Sequence, residues 1–242
     1  MKFLCFVFSL GIAVAAVEIP SIGYMRAADG SIVRVAGVSG AFVTKLTGQP
    51  QAVSASFSGS LGFIKLDTSV RVVNGAGELL GEFDAPGGPA LLGFSATGDA
   101  GIAYYPVTRT LSLFRDGAWT SVPYEGSAIA VGLKDSSSAL IVAPGRELTL
   151  LTIRLSDGAI ESREPLSRDR NVPLFITPDG TLLFTRGEAL VYREHIIPAG
   201  SHITAVSQMG ARWVQIQTDS GRNLALLLSG QPQLYELPEV SQ

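Results

Sequence analysis

The chain has 242 residues, of which 46% are hydrophobic and only 16% are charged, so an extended disordered chain is excluded and a large apolar core is expected. A formal net charge of −3 gives no electrostatic attraction to nucleic acid, and we predict no nucleic-acid partner. This length fits one domain.

The N-terminal stretch has the pattern of a secretory signal peptide. Met1 and Lys2 give a positive start, and the run from Phe3 to Ala16 is almost entirely apolar. The run is shorter than the roughly 20 residues of a membrane-spanning helix and ends in small residues. We predict cleavage after Ala15 or Ala16, a secreted or periplasmic location, and a mature chain without a transmembrane segment. An uncleaved anchor helix is the alternative.

Three strand-like segments follow the signal peptide. Ile22–Arg26 and Ser31–Val35 flank the hairpin signal Asp29-Gly30, and Ala41–Leu46 is the third. The only cysteine, Cys5, leaves with the signal peptide. Residues 17–242 would therefore fold without a disulfide, as one domain that depends on its hydrophobic core.

One pattern then recurs about every 40 residues, which is the spacing of a repeat architecture. An apolar residue precedes a turn of small residues, and a nearly continuous β-branched or aromatic run follows the turn. The clearest copy is Ile176-Thr-Pro-Asp-Gly180 followed by Thr-Leu-Leu-Phe, in which Pro pre-sets φ and Gly tolerates a positive φ. The apolar residues that begin the copies are Phe57, Phe94, Leu133, Ile176 and Val206.

Each copy continues with a third strand and an outer strand, usually with a second turn between them. The fourth copy lacks the Gly turn, and we predict its outer strand at His195 to Pro198. The second turns are marked by Asn74-Gly75, Asp116-Gly117, Asp157-Gly158 and Ser229-Gly230. Four strands per unit predict an all-β fold, a β-propeller of about five four-stranded blades. The N-terminal strands would form a partial sixth blade or close the ring by pairing with the last unit. A β-sandwich or an open stack of sheets is the alternative fold.

The segment Ile176-Thr-Pro-Asp-Gly-Thr-Leu-Leu-Phe184 resembles the repeat turn of bacterial β-propellers of the YVTN and TolB types. The resemblance covers most of residues 52–240, although one repeat alone keeps Pro-Asp-Gly intact. It implies an extracytoplasmic protein that acts as a binding or scaffold module. A minority of such propellers, including lactone hydrolases, are enzymes.

Residues suited to catalysis or metal binding are sparse. The two histidines, His195 and His202, lie on one connection, and no Gly-x-Ser-x-Gly nucleophile motif occurs. Asp179 is explained by its turn. We therefore predict no catalytic residue, no cofactor and no metal site.

Arginines recur in the loops between the second and third strands of the units. In a propeller these loops share one face with the connections between blades, so the arginines would gather there and could receive carboxylates or phosphates. The aromatic pair Tyr104-Tyr105 could add a stacking platform. The alternative is that acidic residues nearby in sequence neutralise these arginines, which would then lie in ordinary solvated turns. The arginines are Arg109, Arg146, Arg186 and Arg222, with Arg168 and Arg170 on the connection between the third and fourth units.

These observations predict a non-enzymatic module that binds a protein or an envelope component through the face that carries the loops. The alternative is a propeller-type hydrolase or lyase with an axial active site. That alternative would need acids and histidine to meet at the central channel, with shifted pKa values.

Overall fold

The computed structural model describes residues 19–166 and 174–239. Every regular element in these ranges is a β-strand, and 23 strands form six antiparallel sheets. The sheets are the blades of a β-propeller, which confirms the predicted fold. No helix of the described residues is long and apolar enough to cross a membrane.

Blade 1 has three strands and blades 2 to 6 have four each. Blade 1 contains β1 (Ser21–Arg26), β2 (Ile32–Val38) and β3 (Ala41–Leu46). Blade 2 contains β4 (Ser54–Phe57), β5 (Leu61–Lys65), β6 (Ser69–Asn74) and β7 (Leu79–Asp84). Blade 3 contains β8 (Leu91–Phe94), β9 (Gly101–Tyr105), β10 (Thr110–Arg115) and β11 (Ala118–Val122). Blade 4 contains β12 (Ala130–Leu133), β13 (Ser138–Ala143), β14 (Leu148–Arg154) and β15 (Ile160–Leu166). Blade 5 contains β16 (Leu174–Ile176), β17 (Leu182–Arg186), β18 (Ala189–Tyr192) and β19 (His195–Pro198). Blade 6 contains β20 (Ile203–Gly210), β21 (Trp213–Thr218), β22 (Asn223–Leu227) and β23 (Gln233–Glu236).

The turns that the sequence marked by Gly do join neighbouring strands of a blade. Asp116 and Gly117 connect β10 to β11 with φ of 52° and 80°, as a type I′ hairpin turn requires. In the turn from β16 to β17, the Asp179 carboxylate accepts the Thr181 N–H at 3.1 Å, and Gly180 has a φ of 79°. Local turn chemistry therefore sets the strand boundaries.

Four of the five predicted repeat starts end an innermost strand, and the fifth is wrong. Val206 lies in the middle of β20, which continues to Gly210 before turning at Ala211 and Arg212. The repeat pattern predicts a turn residue at Gly210, but Gly210 belongs to β20 and allows β20 to pack closely against β1. A Cβ atom on Gly210 would lie 2.2 Å from the carbonyl oxygen of Ile22 in β1.

The innermost strands of the five complete blades form a closed ring. Each of β4, β8, β12 and β16 lies beside the next innermost strand, and β20 lies beside β4. Blade 1 is wedged behind this ring, with β1 between β20 and β4. The N-terminal strands therefore form a partial blade, and they do not pair with strands of blade 6.

β1 occupies the place of a second strand, and residues 19–166 and 174–239 supply no innermost strand to blade 1. The Tyr24 ring lies 5.2 Å from the ring of Phe57, at the end of β4, whereas Arg26 hydrogen-bonds to Ala52, just before β4 begins. β1 therefore runs opposite to β4, as second strands do in the other blades. Its edge nearest the axis pairs with no other strand of the described part of the chain.

Apolar side chains between the blades form the core. Successive residues of β1 point to opposite sides, so Tyr24 packs with the apolar side chains of blade 2 and Met25 with those of blade 6. We call the contact between blade 1 and blade 6 the seam. Met25, Met209 and Leu237 are buried in it.

Candidate functional site

The loops between second and third strands lie on the same face as the connections between blades. The Asp219 N–H donates to the His202 carbonyl at 2.9 Å, and the Gly88 N–H donates to the Asp67 carboxylate at 3.1 Å. Each of these bonds joins a loop to a connection. We call this face the top face, and the face with the remaining turns the bottom face.

The structure places the described candidate arginines on the top face, where they differ in exposure and in ion pairing. Arg109, Arg146 and Arg186 are exposed. Arg222 donates two hydrogen bonds to the Glu236 carboxylate, at 2.8 and 3.0 Å, so its charge is already neutralised. The other two candidates, Arg168 and Arg170, lie outside the described residues.

The tyrosine pair is buried and offers no stacking surface in this structure. Tyr104 is 1% exposed and donates its hydroxyl to the Gly126 carbonyl at 3.0 Å. Tyr105 is 4% exposed, and burial raises its pKa to about 12. The two rings lie on opposite sides of β9, in the cores toward blades 4 and 2 respectively, because β9 is covered on both faces.

The aspartates that an axial enzyme would need lie in turns of the bottom face. Asp99 accepts hydrogen bonds from Ser95 and Thr97, and these lower its pKa. Asp135 is held in the same way by Ser137. These carboxylates stabilise turns.

Asp179 also stabilises its turn, through the hydrogen bonds that its carboxylate accepts there. Burial raises its pKa, but hydrogen bonds from Thr177, Thr181 and Arg193 outweigh burial and lower the pKa to about 2. Its ion pair with Arg193 measures 2.6 Å. The histidines are also off the axis, since His195 lies in the outermost strand of blade 5 and His202 on the exposed connection after it.

A cavity of about 190 Å³ lies on the axis, among the beginnings of four innermost strands and the middle of the fifth, β20, and therefore toward the top end of the ring. Most of its wall is aliphatic, and Val53, which is 39% exposed, lies at its edge. The wall consists of residues 53–56, 90–92, 129–131, 174–175 and 205–207, with Arg26, Gln215 and Gln217.

Arg26 is the cationic residue of this wall, and its position follows from the missing innermost strand of blade 1. Two glutamine side chains replace the peptide groups of a partner strand. The Arg26 N–H donates to Gln215 Oε1 at 3.2 Å, while Gln215 Nε2 and Gln217 Nε2 donate to the Arg26 carbonyl at 2.8 and 3.0 Å. The backbone of Arg26 is thereby held from both sides.

The Arg26 side chain is also fixed, and it forms no ion pair within the described residues. Its Nε donates to the Ala52 carbonyl at 2.6 Å. Among residues 19–166 and 174–239, the ion-paired arginines are Arg71, Arg154, Arg193 and Arg222. Arg26 is outside this set and lines the cavity, and the Asp29 carboxylate is the acid that its charge affects: hydrogen bonds from Ser31 lower the pKa of Asp29 most, and the Arg26 charge adds to them.

Three serines complete the polar part of the wall, Ser207 of β20 and two of β4. The Ser207 hydroxyl donates to Gln215 Oε1 at 3.4 Å. The Ser54 hydroxyl accepts the Ala90 N–H at 3.0 Å. The Ser56 hydroxyl is buried, at 1% exposure, and has no hydrogen-bond partner within the described chain. An unpartnered buried hydroxyl is costly, so a ligand atom that bonded to it would gain free energy.

The charge of the cavity wall suits anion binding. In the described part of the chain the wall contains no Asp, Glu or His side chain, and no group of three such side chains or cysteines could hold a metal ion. Aliphatic side chains screen charge poorly. A guanidinium among them therefore attracts a negative group strongly.

Sequence reasoning missed these residues, although one signal was present. The second strands of the other complete blades are largely apolar, whereas β21 reads Trp-Val-Gln-Ile-Gln-Thr. Two glutamines in a buried strand need partners, and Gln215 is only 1% exposed. The partner, Arg26, lies 189 residues away in sequence, so the pair emerges only from the closed ring.

No protein-family model matches the sequence, and no curated protein matches it. Among solved structures, the β-propeller domain of Myceliophteria thermophila Cps50 (Swd1) is similar with a TM-score of 0.50 and 12% identity, over 82% of this chain and 75% of that chain. YCF48 bound to D1 peptide matches with a TM-score of 0.47 and 14% identity, over 90% and 77% of the two chains. Hydrazine synthase of Kuenenia stuttgartiensis matches with a TM-score of 0.47 and 12% identity, over 92% and 80%. The first of these supports the β-propeller fold, and identity at this level does not extend to function.

Proposed function

We propose that this chain is a bacterial extracytoplasmic β-propeller, of the kind that carries YVTN-type or TolB-type repeats, and that it binds a protein or an envelope component through its top face. Binding is its role, without catalysis. The apolar N-terminal stretch supports export, with cleavage after Ala15 or Ala16.

The axial cavity at the top end carries the proposal. It is concave and mostly aliphatic, with few polar groups, which is the usual composition of a binding site. Arg26, whose side chain is fixed and outside the ion pairs of the described residues, lines it, and the exposed Arg109 and Arg186 lie on the surrounding face. In contrast, Asp99, Asp135 and Asp179 serve the turns of the bottom face, which favours binding over acid–base chemistry.

A matched pair of arginines tests which face binds. Arg186, at the top end of β17, and Arg212, in the bottom turn between β20 and β21, are both exposed and outside the ion pairs of the described chain. Mature protein is immobilised, exposed to envelope and secreted fractions of its own organism, and crosslinked. We expect Arg186→Glu to reduce capture of the specific partner by roughly three- to tenfold, because it replaces attraction by repulsion.

Arg212→Glu is the control, and its capture should equal that of the unmodified protein. If both variants capture the partner equally well, or if only the bottom-face variant loses it, the top face is not the binding face. Circular dichroism of both variants shows whether the fold is intact.

A further inference from the structure

We infer that the axial cavity binds a carboxylate carried on a short aliphatic group, with Arg26 as its ionic partner. The inference rests on the proposed function, since it names the chemistry that the top face recognises. A free short-chain carboxylic acid and the C-terminus of a polypeptide that ends in an aliphatic residue share this chemistry.

The first argument is the state of the Arg26 side chain. The bond from Nε to the Ala52 carbonyl uses one donor and fixes the plane of the guanidinium. The terminal nitrogens make no hydrogen bond to the described residues, and Arg26 is one of the residues that line the cavity. A planar pair of donors of this kind matches the two oxygens of a carboxylate.

The second argument is preorganisation. Gln215 and Gln217 hold the Arg26 backbone, and Gln215 is itself held, because its Nε2 donates to Asn223 Oδ1 at 2.8 Å. A ligand therefore meets an arginine that is already ordered. Less conformational entropy is lost on binding, which raises affinity.

The third argument is the unpartnered Ser56 hydroxyl. This oxygen is buried in the wall of the cavity and makes no hydrogen bond within the described residues. Its neighbour two positions away, Ser54, is satisfied by the Ala90 N–H. A polar ligand group would give Ser56 the partner that it lacks if the wall around this oxygen adjusts on binding.

The size and charge of the cavity distinguish a carboxylate from a phosphate. A volume of about 190 Å³ is many times the space that one water needs, so it admits a carboxylate with a few carbon atoms. The wall offers one positive charge. A dianionic phosphate would leave a second charge unpaired among aliphatic side chains, which is costly, whereas a carboxylate is neutralised by Arg26 alone.

The test compares matched probes on the unmodified mature protein by isothermal titration calorimetry and by the NMR signal of Arg26 Nε. The probes are pentanoate, pentanamide and propyl phosphate, and a tetrapeptide ending in leucine with either a free or an amidated C-terminus. We expect each carboxylate to bind at least about tenfold more tightly than its amide, because a charge-assisted hydrogen bond is lost. Tighter binding of the peptide identifies a polypeptide C-terminus as the source, and tighter binding of pentanoate identifies a free acid.

Two variants locate the site. Arg26→Gln should weaken carboxylate binding at least about tenfold, and Ser56→Ala about threefold, while Arg212→Glu leaves it unchanged. Equal binding of carboxylate and amide overturns the inference, and so does tighter binding of propyl phosphate or unchanged binding by Arg26→Gln. The comparison of probes on unmodified protein decides the matter even if Arg26→Gln fails to fold.

The outcome is separable from that of the proposed function. If no probe binds while partner capture still depends on Arg186, the carboxylate inference fails and the binding role stands. If pentanoate binds and capture does not depend on Arg186, the cavity is a ligand site and the face-binding role fails.

Discussion

The seam between β1 and β20 depends on glycines that let two backbones touch. A Cβ atom on Gly210 would lie 2.2 Å from the Ile22 carbonyl oxygen, whereas an ordinary contact is at least 3.4 Å. Gly210 does not have a positive φ, so alanine fits its backbone conformation and the clash alone is tested. In Gly210→Ala, β1 and β20 must separate by about 1 Å, which overpacks the seam.

We expect Gly210→Ala to lower the free energy of unfolding by about 3 kcal/mol, at the upper end for overpacking, because backbone meets backbone and no side chain can rotate away. For a chain of this size the melting temperature would fall by about 6–12 °C. Urea unfolding followed by tryptophan fluorescence measures the change. Trp213 is a suitable reporter because it contacts Phe42 across the seam, with ring centres 5.8 Å apart.

Gly230→Ala is the matched control. Gly230 also lacks a positive φ, and a Cβ atom there would meet no heavy atom within 4 Å. Alanine should be neutral or stabilise by up to about 1 kcal/mol, since it restricts the unfolded chain. If the free energies of unfolding of Gly210→Ala and Gly230→Ala differ by less than about 0.5 kcal/mol, the close approach of β1 and β20 is wrong.

Four further outcomes follow from the structure. Ser56→Ala should raise the free energy of unfolding, measured in urea, by about 1 kcal/mol, because it removes an unpartnered buried hydroxyl. A lower free energy of unfolding would show that the Ser56 hydroxyl has a hydrogen-bond partner. Tyr104→Phe should cost about 1 kcal/mol in the same assay through its lost hydrogen bond, and an unchanged midpoint would contradict the bond. The stabilisation from Asp179, with a pKa of about 2 instead of 3.8, is present above pH 3.8 and is lost as the pH falls toward 2. Urea unfolding of Asp179→Asn across that window should therefore depend less on pH, and an unchanged dependence would refute the role. Mass spectrometry of the exported protein should find an N-terminus just after Ala15 or Ala16, and an intact leader would contradict cleavage.

The blade architecture could be predicted because each boundary has a local cause. Pairs such as Asp116-Gly117 require a hairpin turn wherever they occur between strand-forming runs. The outer strand of blade 5 has the predicted bounds, His195 to Pro198, although its turn carries Arg193 with a φ of 54° in place of a glycine. Local chemistry acts within a few residues, and a single sequence displays it fully.

The candidate site could not be predicted, because it arises from contacts between distant parts of the chain. Three N-terminal strands do not indicate which strand of a blade is missing, so the role of Arg26 was hidden. Burial of Tyr104 and Tyr105 needs both neighbouring blades. The pairing of Arg222 with Glu236 depends on the register of β22 and β23, which brings the two side chains together.

The seam also has a consequence for the order of folding. Blades 2 to 5 are built from hairpins whose partners are close in sequence, but the bonds between Arg26 and Gln215 span 189 residues. Closing so long a loop is slow and entropically costly, so we expect blade 1 to dock last. The cavity would then be complete only in a finished propeller, and a partly folded chain would not bind prematurely. Pulsed hydrogen exchange during refolding tests this, since the Arg26 amide should become protected after the amides of β9 and β13.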